Sequence, residues 1–255
     1  MNKIERKTED KTDDFVFGIR AVIEAIRFGK NIDKVLIKRG LKGELFKELM
    51  AVLNEDNIPF QYVPEEKLDR VTRKNHQGVI AFMSPVAFYP LEDTIAGIFE
   101  KGENPFILAL DEVSDVRNFG AIVRTAECAG VHAIVIPEKG SARIGSDAVK
   151  TSAGALHKMP VCRVPSMKKA LQYLQQSGIV LFGATEKATD NYYKSDFNKP
   201  ICIIMGAEDT GLSPEIIKFC DNLIKIPILG EIQSLNVSVA ASILVYDAVR
   251  QRLNE

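Results

Sequence analysis

The side chains that could do chemistry lie in three loops, each of which follows a strand-like run and opens a helical one. The first loop, 111–120, runs into a helical segment that contains Arg124; the second is 206–214 and the third is 230–236. A guanidinium in an otherwise apolar helix could clamp an anion such as a phosphate. Polar side chains and backbone N–H groups at a helix start could also hold a ligand. One such loop predicts little, but three at one edge of a sheet predict a binding site.

Each of these side chains also has an ordinary structural explanation. Arg124 could extend along the helix surface and place its charge in water. Glu208 could be a first-turn acid that the helix dipole favours. Ser234 and Asn236 could simply cap the helix that is predicted to begin near Asn236. Residue types alone favour the structural explanation for Arg124 and Glu208, and they leave both explanations open for the cap.

Common nucleotide-binding, hydrolase and metal-binding motifs are absent from the sequence. Gly206 and Gly211 have the first spacing of a phosphate-binding loop, but Leu-Ser follows where Lys-Ser/Thr is required. No G-x-G-x-x-G follows a strand-like run, and no G-x-S-x-G elbow is present. The three histidines are scattered and no acidic or histidine pair has ligand spacing, so no metal site is predicted. His132 is expected to be structural.

The segments that must position the three loops predict a parallel α/β sheet in the second part of the chain. Near-continuous runs of Ile, Val and Leu alternate there with helical segments, which is typical of a sheet covered on both faces. Ligands bind beyond the carboxyl ends of such strands. The predicted strands are 106–110, 133–136, 161–164, 179–184, 201–205 and 223–226, and the predicted helices are 118–129, 147–153, 166–175 and 214–220. The last helix has no charge between Glu231 and Asp247, so it is predicted to be buried on most faces.

The first part of the chain predicts a separate, smaller α/β unit. Residues 1–14 are polar with mixed charge and predict a disordered tail. Helical and strand-like segments alternate over 15–88, and a linker with proline and glycine signals is predicted at 89–104. The second domain is then 105–255.

Composition limits the partners and the compartment. The formal net charge is −1, so a nucleic-acid partner would need a local basic patch. The four cysteines form no C-x-x-C pair, which predicts buried free thiols in a reducing compartment. The sequence has no signal-peptide core and no apolar run of about 18 residues, so a cytoplasmic protein without a membrane partner is predicted.

Taken together, the three loops resemble the three motifs of the SpoU (TrmH-like) RNA ribose 2′-O-methyltransferases, in the same order. The matching stretches are Asn118-x-Gly-x-x-x-Arg124-Thr-Ala, Met205-Gly-Ala-Glu208-x-x-Gly-Leu, and Ile226-Pro followed by Ser234-Leu-Asn236-Val-Ser-x-Ala. The first motif departs mildly from the usual form, with Glu112 where a small residue is common and Arg117 just before Asn118. Neither departure falls on a matched position.

The resemblance covers the chain from about Phe15 onward and extends to one branch of the family. Phe17-Gly-Ile-Arg-Ala-Val22 and His76-Gln-Gly-Val79 look like the small N-terminal RNA-binding domain of the bacterial 23S rRNA guanosine 2′-O-methyltransferases. Lys150-Thr-Ser-Ala-Gly154 also fits that branch. The implied fold is an L30e-like α/β domain followed by a parallel-sheet SPOUT domain, whose C-terminal segment forms a trefoil knot that pattern reasoning would not propose.

The resemblance also implies function and site residues. It implies S-adenosylmethionine as cofactor, RNA as partner, and a homodimer. Around the ribose hydroxyl it implies five catalytic residues: Arg124, Asn118, Glu208, Ser234 and Asn236. For the cofactor it implies Gly206, Ile226, Leu235, Ala184, Thr185 and Asn236.

The substrate and the role of the first unit remain as hypotheses. A guanosine in 23S rRNA is the leading target, and the alternatives are a tRNA 2′-O-methyltransferase and a non-catalytic RNA-binding or ribosome-assembly protein on the same fold. RNA capture by the first unit is expected to involve Arg20, Arg73 and Lys74. The competing explanation is that this unit only stabilises a dimer or acts as a spacer.

Overall fold

The computed structural model describes residues 15–253, which fall into two compact units that divide between Ser84 and Pro85. The predicted disordered tail, 1–14, lies outside the described residues. The stretch 89–104, predicted as a linker, holds a helix of the second unit, Leu91–Glu100, whose Leu91, Ile95 and Ile98 are buried in that unit's core. The apolar face of this helix gives the stretch a place in the core.

The first unit is a four-stranded mixed sheet covered by helices. The strand order is β1-β4-β2-β3; β2 and β3 are parallel, whereas β4 runs antiparallel to both β1 and β2. Helix α1 packs on the sheet through Val22, Ile23 and Ile26, which its 3.6-residue period places on one face. In chain order the elements are β1 Phe15–Phe17, α1 Ile19–Arg27, β2 Ile32–Lys38, α2 Glu44–Glu55, β3 Phe60–Val63, α3 Glu65–Asp69 and β4 Val79–Met83.

The second unit confirms the predicted parallel sheet. All of its seven strands are parallel, in the order β7-β6-β5-β10-β8-β11-β9. The strands are β5 Phe106–Leu110, β6 Ala133–Pro137, β7 Val161–Val164, β8 Val180–Ala184, β9 Asp190–Asn191, β10 Ile201–Met205 and β11 Asn222–Lys225. The helices are α4 Leu91–Glu100, α5 Val116–Cys128, α6 Ser146–Thr151, α7 Met167–Gln176, α8 Pro214–Ile217 and α9 Val237–Arg252. The two-residue strand β9 was not predicted, since so short a pairing leaves no periodic pattern.

Alternate residues of the central strand β10 explain why the sheet carries a core on each face. Ile201, Ile203 and Met205 belong to the core cluster under α5 and α9, whereas Cys202 and Ile204 belong to the cluster under α4 and α7. Successive side chains of a strand point to opposite faces, so an entirely apolar strand must be covered on both. Among residues 15–253, no helix is long and apolar enough to span a membrane.

Helix α9 is less buried than its composition predicts. Its Ala241, Leu244, Val245 and Ala248 are buried, but Val239 is 48% exposed and Tyr246 is 50% exposed. The prediction that this helix is buried on most faces is therefore wrong for one stripe of it. An apolar sequence cannot distinguish a face covered by the same chain from a face that the chain leaves open.

The cysteines follow the prediction in part. Cys162 and Cys202 are buried and Cys220 is half-buried, but Cys128 is exposed at the end of α5, so the prediction of a buried thiol is wrong there. Burial raises the pKa of Cys202 above its usual range and, with the nearby Asp221 carboxylate, raises the pKa of Cys220 to about 12. Both of these thiols therefore stay protonated near neutral pH.

Candidate active site

A cavity of about 620 Å³ opens at the carboxyl ends of β8, β10 and β11. Most of its lining comes from three stretches: 184–187 at the end of β8, 205–211 at the end of β10, and residues between 224 and 237 at the end of β11 and after it. Ala240 and Leu244 of α9 complete the lining. Parallel strands bring such loops to one edge of the sheet. The lining includes all of the residues predicted to meet the cofactor, which are Ala184, Thr185, Gly206, Ile226, Leu235 and Asn236. Glu208 and Ser234 also line the cavity, whereas Asn118 and Arg124 do not.

The turn after β10 depends on the absence of a side chain at Gly206. Ala207 and Gly211 exchange two backbone hydrogen bonds, of 2.9 and 3.2 Å, that close the loop on itself. A Cβ atom on Gly206 would lie 2.2 Å from the carbonyl carbon of Gly211 and 2.3 Å from the amide nitrogen of Leu212. Backbone cannot yield as a flexible side chain can, so only glycine fits here.

The turn after β8 is fixed by Thr185. Its backbone N–H donates to the carbonyl oxygen of Ile224 at 2.9 Å, which joins the end of β8 to β11. Its hydroxyl oxygen accepts from the backbone N–H of Lys187 at 3.3 Å. The Thr185 side chain is thus used within its own loop and shapes the cavity wall.

Asn236 acts both as a helix cap and as a contact to another loop, so both explanations that its sequence position allowed apply. Its Oδ1 accepts from the backbone N–H groups of Ser238 at 2.9 Å and Val239 at 3.4 Å, so it is the predicted N-cap of α9. Its Nδ2 donates to Oδ1 of Asn118 at 3.0 Å. In turn, Nδ2 of Asn118 donates to Oε1 of Glu208 at 2.5 Å. These two hydrogen bonds link Asn236, Asn118 and Glu208, one from each of the three loops, and we refer to the three side chains as the amide chain.

Asn118 reaches the other loops because of how α5 begins. The carboxylate of Asp115 accepts from the backbone N–H groups of Arg117 at 2.8 Å and Asn118 at 2.9 Å. That cap starts the helix at Val116, two residues earlier than predicted. Thr125, two turns further along, forms a 3.1 Å hydroxyl hydrogen bond with Ser242 of α9. Asn118 and Thr125 therefore mark the side of α5 that faces α9.

Arg124 lies on a different side of α5 from Asn118. Its side chain is exposed, and it forms no hydrogen bond or ion pair with any other residue of the range 15–253. The structure therefore does not bring Arg124 into the cavity itself. It leaves the guanidinium available to a partner outside this part of the chain.

Gly120 explains how α6 can approach α5. A Cβ atom on Gly120 would lie 2.0 Å from Oγ1 and 2.6 Å from Cβ of Thr151, and 3.0 Å from the amide nitrogen of Ser152. The Thr151 hydroxyl oxygen also lies 3.3 Å from the carbonyl oxygen of Val116, although its shortest hydrogen bond goes to the carbonyl oxygen of Asp147 at 2.9 Å. The stretch Lys150-Thr-Ser-Ala-Gly154 thus packs against the helix that carries Asn118 and Arg124.

Some lining residues were missed when only the motifs were considered. Glu186 and Lys187 line the cavity directly after β8, and Gln233 lines it from the loop before α9. The position of Glu186 and Lys187 just past a predicted strand end could have found them. Gln233 carries no such signal, because it lies inside a long loop.

Asp111 is a buried carboxyl at the end of β5. Burial is the main cause that raises its pKa from the ordinary 3.8, the Glu112 charge raises it further, and the backbone N–H of Ser213 partly opposes them. Because the pKa of Asp111 is higher in the folded state than in the unfolded state, its protonated form stabilises the fold. This contribution is complete below the unfolded-state pKa and is lost as pH rises through the folded-state pKa. Ionised Asp111 is therefore a cost to stability at neutral pH.

Replacing Asp111 by asparagine should raise the midpoint of thermal unfolding at about pH 7 and leave it unchanged below about pH 3, where both forms are neutral. The amide oxygen can still accept from Ser213, so only the charge is removed. Calorimetry across this pH range checks the prediction, with the exposed Asp56→Asn as the matched control. A midpoint at neutral pH that falls in Asp111→Asn but not in the control would contradict it.

His132 has the structural role that the sequence predicts. Its Nδ1 accepts from the backbone N–H of Phe106 at 2.9 Å, and its Nε2 lies 3.3 Å from a carboxylate oxygen of Glu103. Burial lowers the pKa of the ring, and Glu103 partly opposes that shift. Within the described range, no group of three or more His, Cys, Asp or Glu side chains could hold a metal ion.

In the first unit, the three basic residues expected to meet RNA are all exposed. Arg20 lies in the first turn of α1, and the backbone N–H of the preceding Ile19 donates to Oε1 of Gln77 at 3.3 Å. Arg73 and Lys74 lie in the same 70–78 loop as Gln77. The start of α1 and this loop are thus joined at one edge of the sheet.

Sequence comparison agrees with these two units. Residues 105–246 match the SpoU rRNA Methylase family, and residues 15–89 match the RNA 2′-O ribose methyltransferase substrate-binding family. A Bacillus subtilis (strain 168) protein, YacO, which is named as a TrmH family tRNA/rRNA methyltransferase, is 35% identical over 240 residues, 94% of this chain and 96% of its own length.

The chain is also similar to solved structures, among them the following two. The SpoU methyltransferase AviRb from Streptomyces viridochromogenes, solved in complex with the cofactor AdoMet, has a TM-score of 0.60 at 25% identity and covers 94% of this chain and 91% of its own. The A. aeolicus TrmH/SpoU tRNA modifying enzyme has a TM-score of 0.54 at 32% identity and covers 64% of this chain and 85% of its own. With both family matches and a relative at this identity, the chain belongs to the SpoU family and is an RNA 2′-O-ribose methyltransferase.

Proposed function

We propose that the enzyme transfers a methyl group from S-adenosylmethionine to a ribose 2′-hydroxyl of a guanosine in 23S rRNA. The observation that supports this reaction most directly is the cavity at three strand ends together with the Asn236–Asn118–Glu208 chain at its rim. The family assignment supplies the reaction class, and the geometry supplies a place for the donor beside polar groups that could face a ribose.

The residues around the cavity fit S-adenosylmethionine. The volume of about 620 Å³ is that of a typical small-molecule site. Backbone at Gly206, Ile226 and Leu235 would hold the cofactor, with Ala184, Thr185 and Asn236 around it, and the nearby carboxylates of Glu186 and Glu208 suit a positively charged ligand. When bound, the cofactor supplies a methyl group on a sulfonium that is already a good leaving group.

Arg124 would act on the RNA rather than on the cofactor. Its exposed guanidinium could form two parallel hydrogen bonds with a phosphate and so fix the neighbouring ribose. The 2′-hydroxyl must lose a proton as its oxygen attacks, and an arginine, with a pKa above about 12, is a poor base by itself. An RNA phosphate bound to Arg124 could help it to accept that proton; alternatively, Arg124 only orients the phosphate. Positioning is the main requirement for in-line transfer in both cases.

The amide chain would hold the remaining groups of the reaction in place. Each amide both donates and accepts, so Glu208 is held by Asn118, and Asn118 is held by the cap of α9. Ser234 is exposed on the cavity rim and has no hydrogen bond within 15–253, so its hydroxyl could meet the ribose. We assign Asn118, Glu208, Ser234 and Asn236 to binding and orientation of the ribose.

Asn118→Asp should lower methyl transfer by about 10²-fold, more than Asn118→Ala does, although it changes the size of the side chain least. It removes the amide that donates to Glu208 and places a second carboxylate at that distance, which is unfavourable for both charges. Single-turnover methylation of RNA measures the rates, and Arg117→Ala, at an exposed position on the same helix, is the control. If the aspartate variant were as active as the alanine variant, the orienting role of this contact would be wrong.

The substrate can be identified by mapping ribose methylation in cells with and without the gene. Loss of one 23S rRNA guanosine methylation supports the proposal, whereas loss of a tRNA methylation supports the alternative, which the A. aeolicus tRNA modifying enzyme favours. The rRNA target is preferred because residues 105–246 match the SpoU rRNA Methylase family, whereas the A. aeolicus tRNA modifying enzyme covers 64% of this chain. An unchanged methylation map contradicts both the rRNA and the tRNA target. Either RNA would place the enzyme in the cytoplasm.

We also propose that the enzyme is a homodimer and that its C-terminal segment forms a trefoil knot. Apolar side chains are exposed on the loop before α9 and on α9 itself, which is typical of an interface. They include Leu229 at 98%, Ile232 at 77% and Tyr246 at 50% exposure. Sedimentation equilibrium tests the dimer, with Leu229→Glu expected to shift it toward monomer. A crystallographic trace of 184–237 tests the knot.

A further inference from the structure

A second cavity, of about 400 Å³, lies in the first unit at one edge of its sheet. The carboxyl ends of β2 and β3 and the start of β4 meet at this edge, because β4 runs antiparallel to β2. The lining residues are Lys38, Leu41, Glu65, Asp69, Lys74, Asn75, His76, Gln77 and Gly78. They come from three separate stretches of chain and include both charges and amides.

The wall of this cavity is held in one conformation by a buried histidine. Nδ1 of His76 accepts from the backbone N–H of Gly78 at 3.0 Å, and Nε2 lies 3.0 Å from Oδ1 of Asp69. Since Nδ1 accepts, Nε2 carries the proton and donates to Asp69. His76 is 7% exposed, so the 74–78 segment is tied to α3 from the inside.

The backbone of the same wall adopts an uncommon conformation. Gln77 has a φ of +51° and Gly78 a φ of +78°, which is costly for a residue with a side chain. A Cβ atom on Gly78 would lie 3.1 Å from Cβ of Lys38. Such strain persists only where the surroundings enforce it, and it concentrates at ligand sites. The His76 hydrogen bonds and this backbone conformation together fix the shape of the cavity wall.

Several polar groups on the wall remain open to a ligand. The second carboxylate oxygen of Asp69 has no hydrogen bond within the described residues, and the exposed Asn75 side chain has none there either. Nζ of Lys74 lies 5.8 Å from the centre of the Phe17 ring. Nζ of Lys38 lies 2.5 Å from Oε2 of Glu65, so the charge of this lysine already has a partner. The site thus presents an exposed carboxylate oxygen, an amide and a lysine cation to a ligand.

We infer that this cavity receives one unpaired nucleotide of the RNA substrate, with a base amino group donating to Asp69 and an adjacent phosphate meeting Lys74. This inference rests on the proposed function, which makes RNA the substrate. Unpaired bases can be splayed out and read on their hydrogen-bonding edges, whereas a paired A-form helix presents a broad surface. A carboxylate accepts from an exocyclic amino group, which adenine, cytosine and guanine have and uracil lacks.

The test measures binding of fluorescein-labelled oligonucleotides of about eight nucleotides to the full chain without cofactor, by fluorescence polarisation. Oligo(A) and oligo(C) should bind about tenfold more tightly than oligo(U). Asp69→Asn should abolish that preference: its amide oxygen can still accept from His76, but an NH2 donor replaces the carboxylate oxygen that would accept from the base. Asp56→Asn, an exposed acid on the same unit, should retain the preference. Equal binding of the three oligonucleotides by the unchanged chain would overturn the inference.

Two further experiments distinguish contacts to the phosphate from contacts to the base, and an RNA ligand from a free nucleotide. Lys74→Ala should weaken binding of all three oligonucleotides equally and should reduce the slope of log affinity against log salt concentration by about one. Lys47→Ala should change neither the affinity nor the slope. A duplex of about 16 base pairs that binds as tightly as oligo(A) would contradict an unpaired nucleotide. AMP that competes as well as oligo(A) would identify a free nucleotide as the ligand and overturn the RNA assignment.

The outcome is independent of methyl transfer. Because binding is measured without S-adenosylmethionine, an inactive enzyme does not affect the result. Conversely, an Asp69→Asn chain that keeps its base preference and still methylates RNA would overturn this inference and leave the proposed function standing. Thermal unfolding of each variant identifies any that fails to fold, and Asn75→Ala then provides a second probe, expected to lower the affinity for oligo(A) and oligo(C).

Discussion

Arg124→Ala should lower the rate of methyl transfer by about 10²–10³-fold while leaving the affinity for S-adenosylmethionine nearly unchanged. The guanidinium lies outside the cavity and forms no hydrogen bond or ion pair within 15–253, so its removal should disturb neither the fold nor the donor site. What is lost is the group that orients the RNA phosphate and ribose. Single-turnover methylation measures the rate, and calorimetry measures cofactor binding.

Matched variants make this result specific. Arg117 is exposed on the same helix, so Arg117→Ala controls for the loss of one positive charge and should retain most of the activity. Arg124→Lys keeps the charge but not the planar fork, and it should recover only a small part of the rate. If Arg124→Ala and Arg117→Ala had equal activity, the role assigned to Arg124 would have to be abandoned.

Gly206→Ala should abolish measurable cofactor binding and destabilise the chain by about 1–3 kcal/mol. The new Cβ would overlap the backbone of Gly211 and Leu212, so the loop must open and its two hydrogen bonds to Ala207 must break or lengthen. Because the same loop is one wall of the cavity, the binding site changes with it. Calorimetric titration with S-adenosylmethionine and thermal unfolding measure the two effects.

Gly230→Ala is the matched control for this variant. Gly230 belongs to the loop before α9, and a Cβ atom there would meet nothing within 4 Å. Its replacement should change neither cofactor affinity nor stability appreciably. Gly206→Ala with cofactor affinity like that of Gly230→Ala would show that the 206–211 turn is not part of the binding site.

Strands and caps were predictable from the chain because their signals are local. The run Ile-Cys-Ile-Ile-Met of β10 predicts a strand covered on both faces, and the structure confirms it. The cap at Asn236 was predictable because a short polar side chain precedes an apolar helical run. The exposed stripe of Val239 and Tyr246 was not, since the same residue types serve a core and an interface.

The arrangement of the candidate site depends on the tertiary structure, which cannot be deduced from the spacing of residues in the sequence. Asn118 and Glu208 are 90 positions apart, yet they share the shortest hydrogen bond of the amide chain. Motif resemblance named both residues but could not say that one holds the other. It also could not place Arg124 outside the cavity or explain Gly206, which backbone crowding alone requires.

The strand order has a consequence for synthesis of the chain. Strand β10 lies between β5 and β8, both of which precede it in the chain, and β11 joins only afterwards. A nascent polypeptide that has emerged only as far as β8 would hold the three-stranded sheet β7-β6-β5 and the separate strand β8, with no strand between them. Strand β10 is made next and fills that gap, and residues 206–253 then supply the loop after β10 and helix α9. The active site should therefore form only after translation of the sheet is essentially complete. Ribosome-stalled chains that end before Val237 should bind no methyl donor.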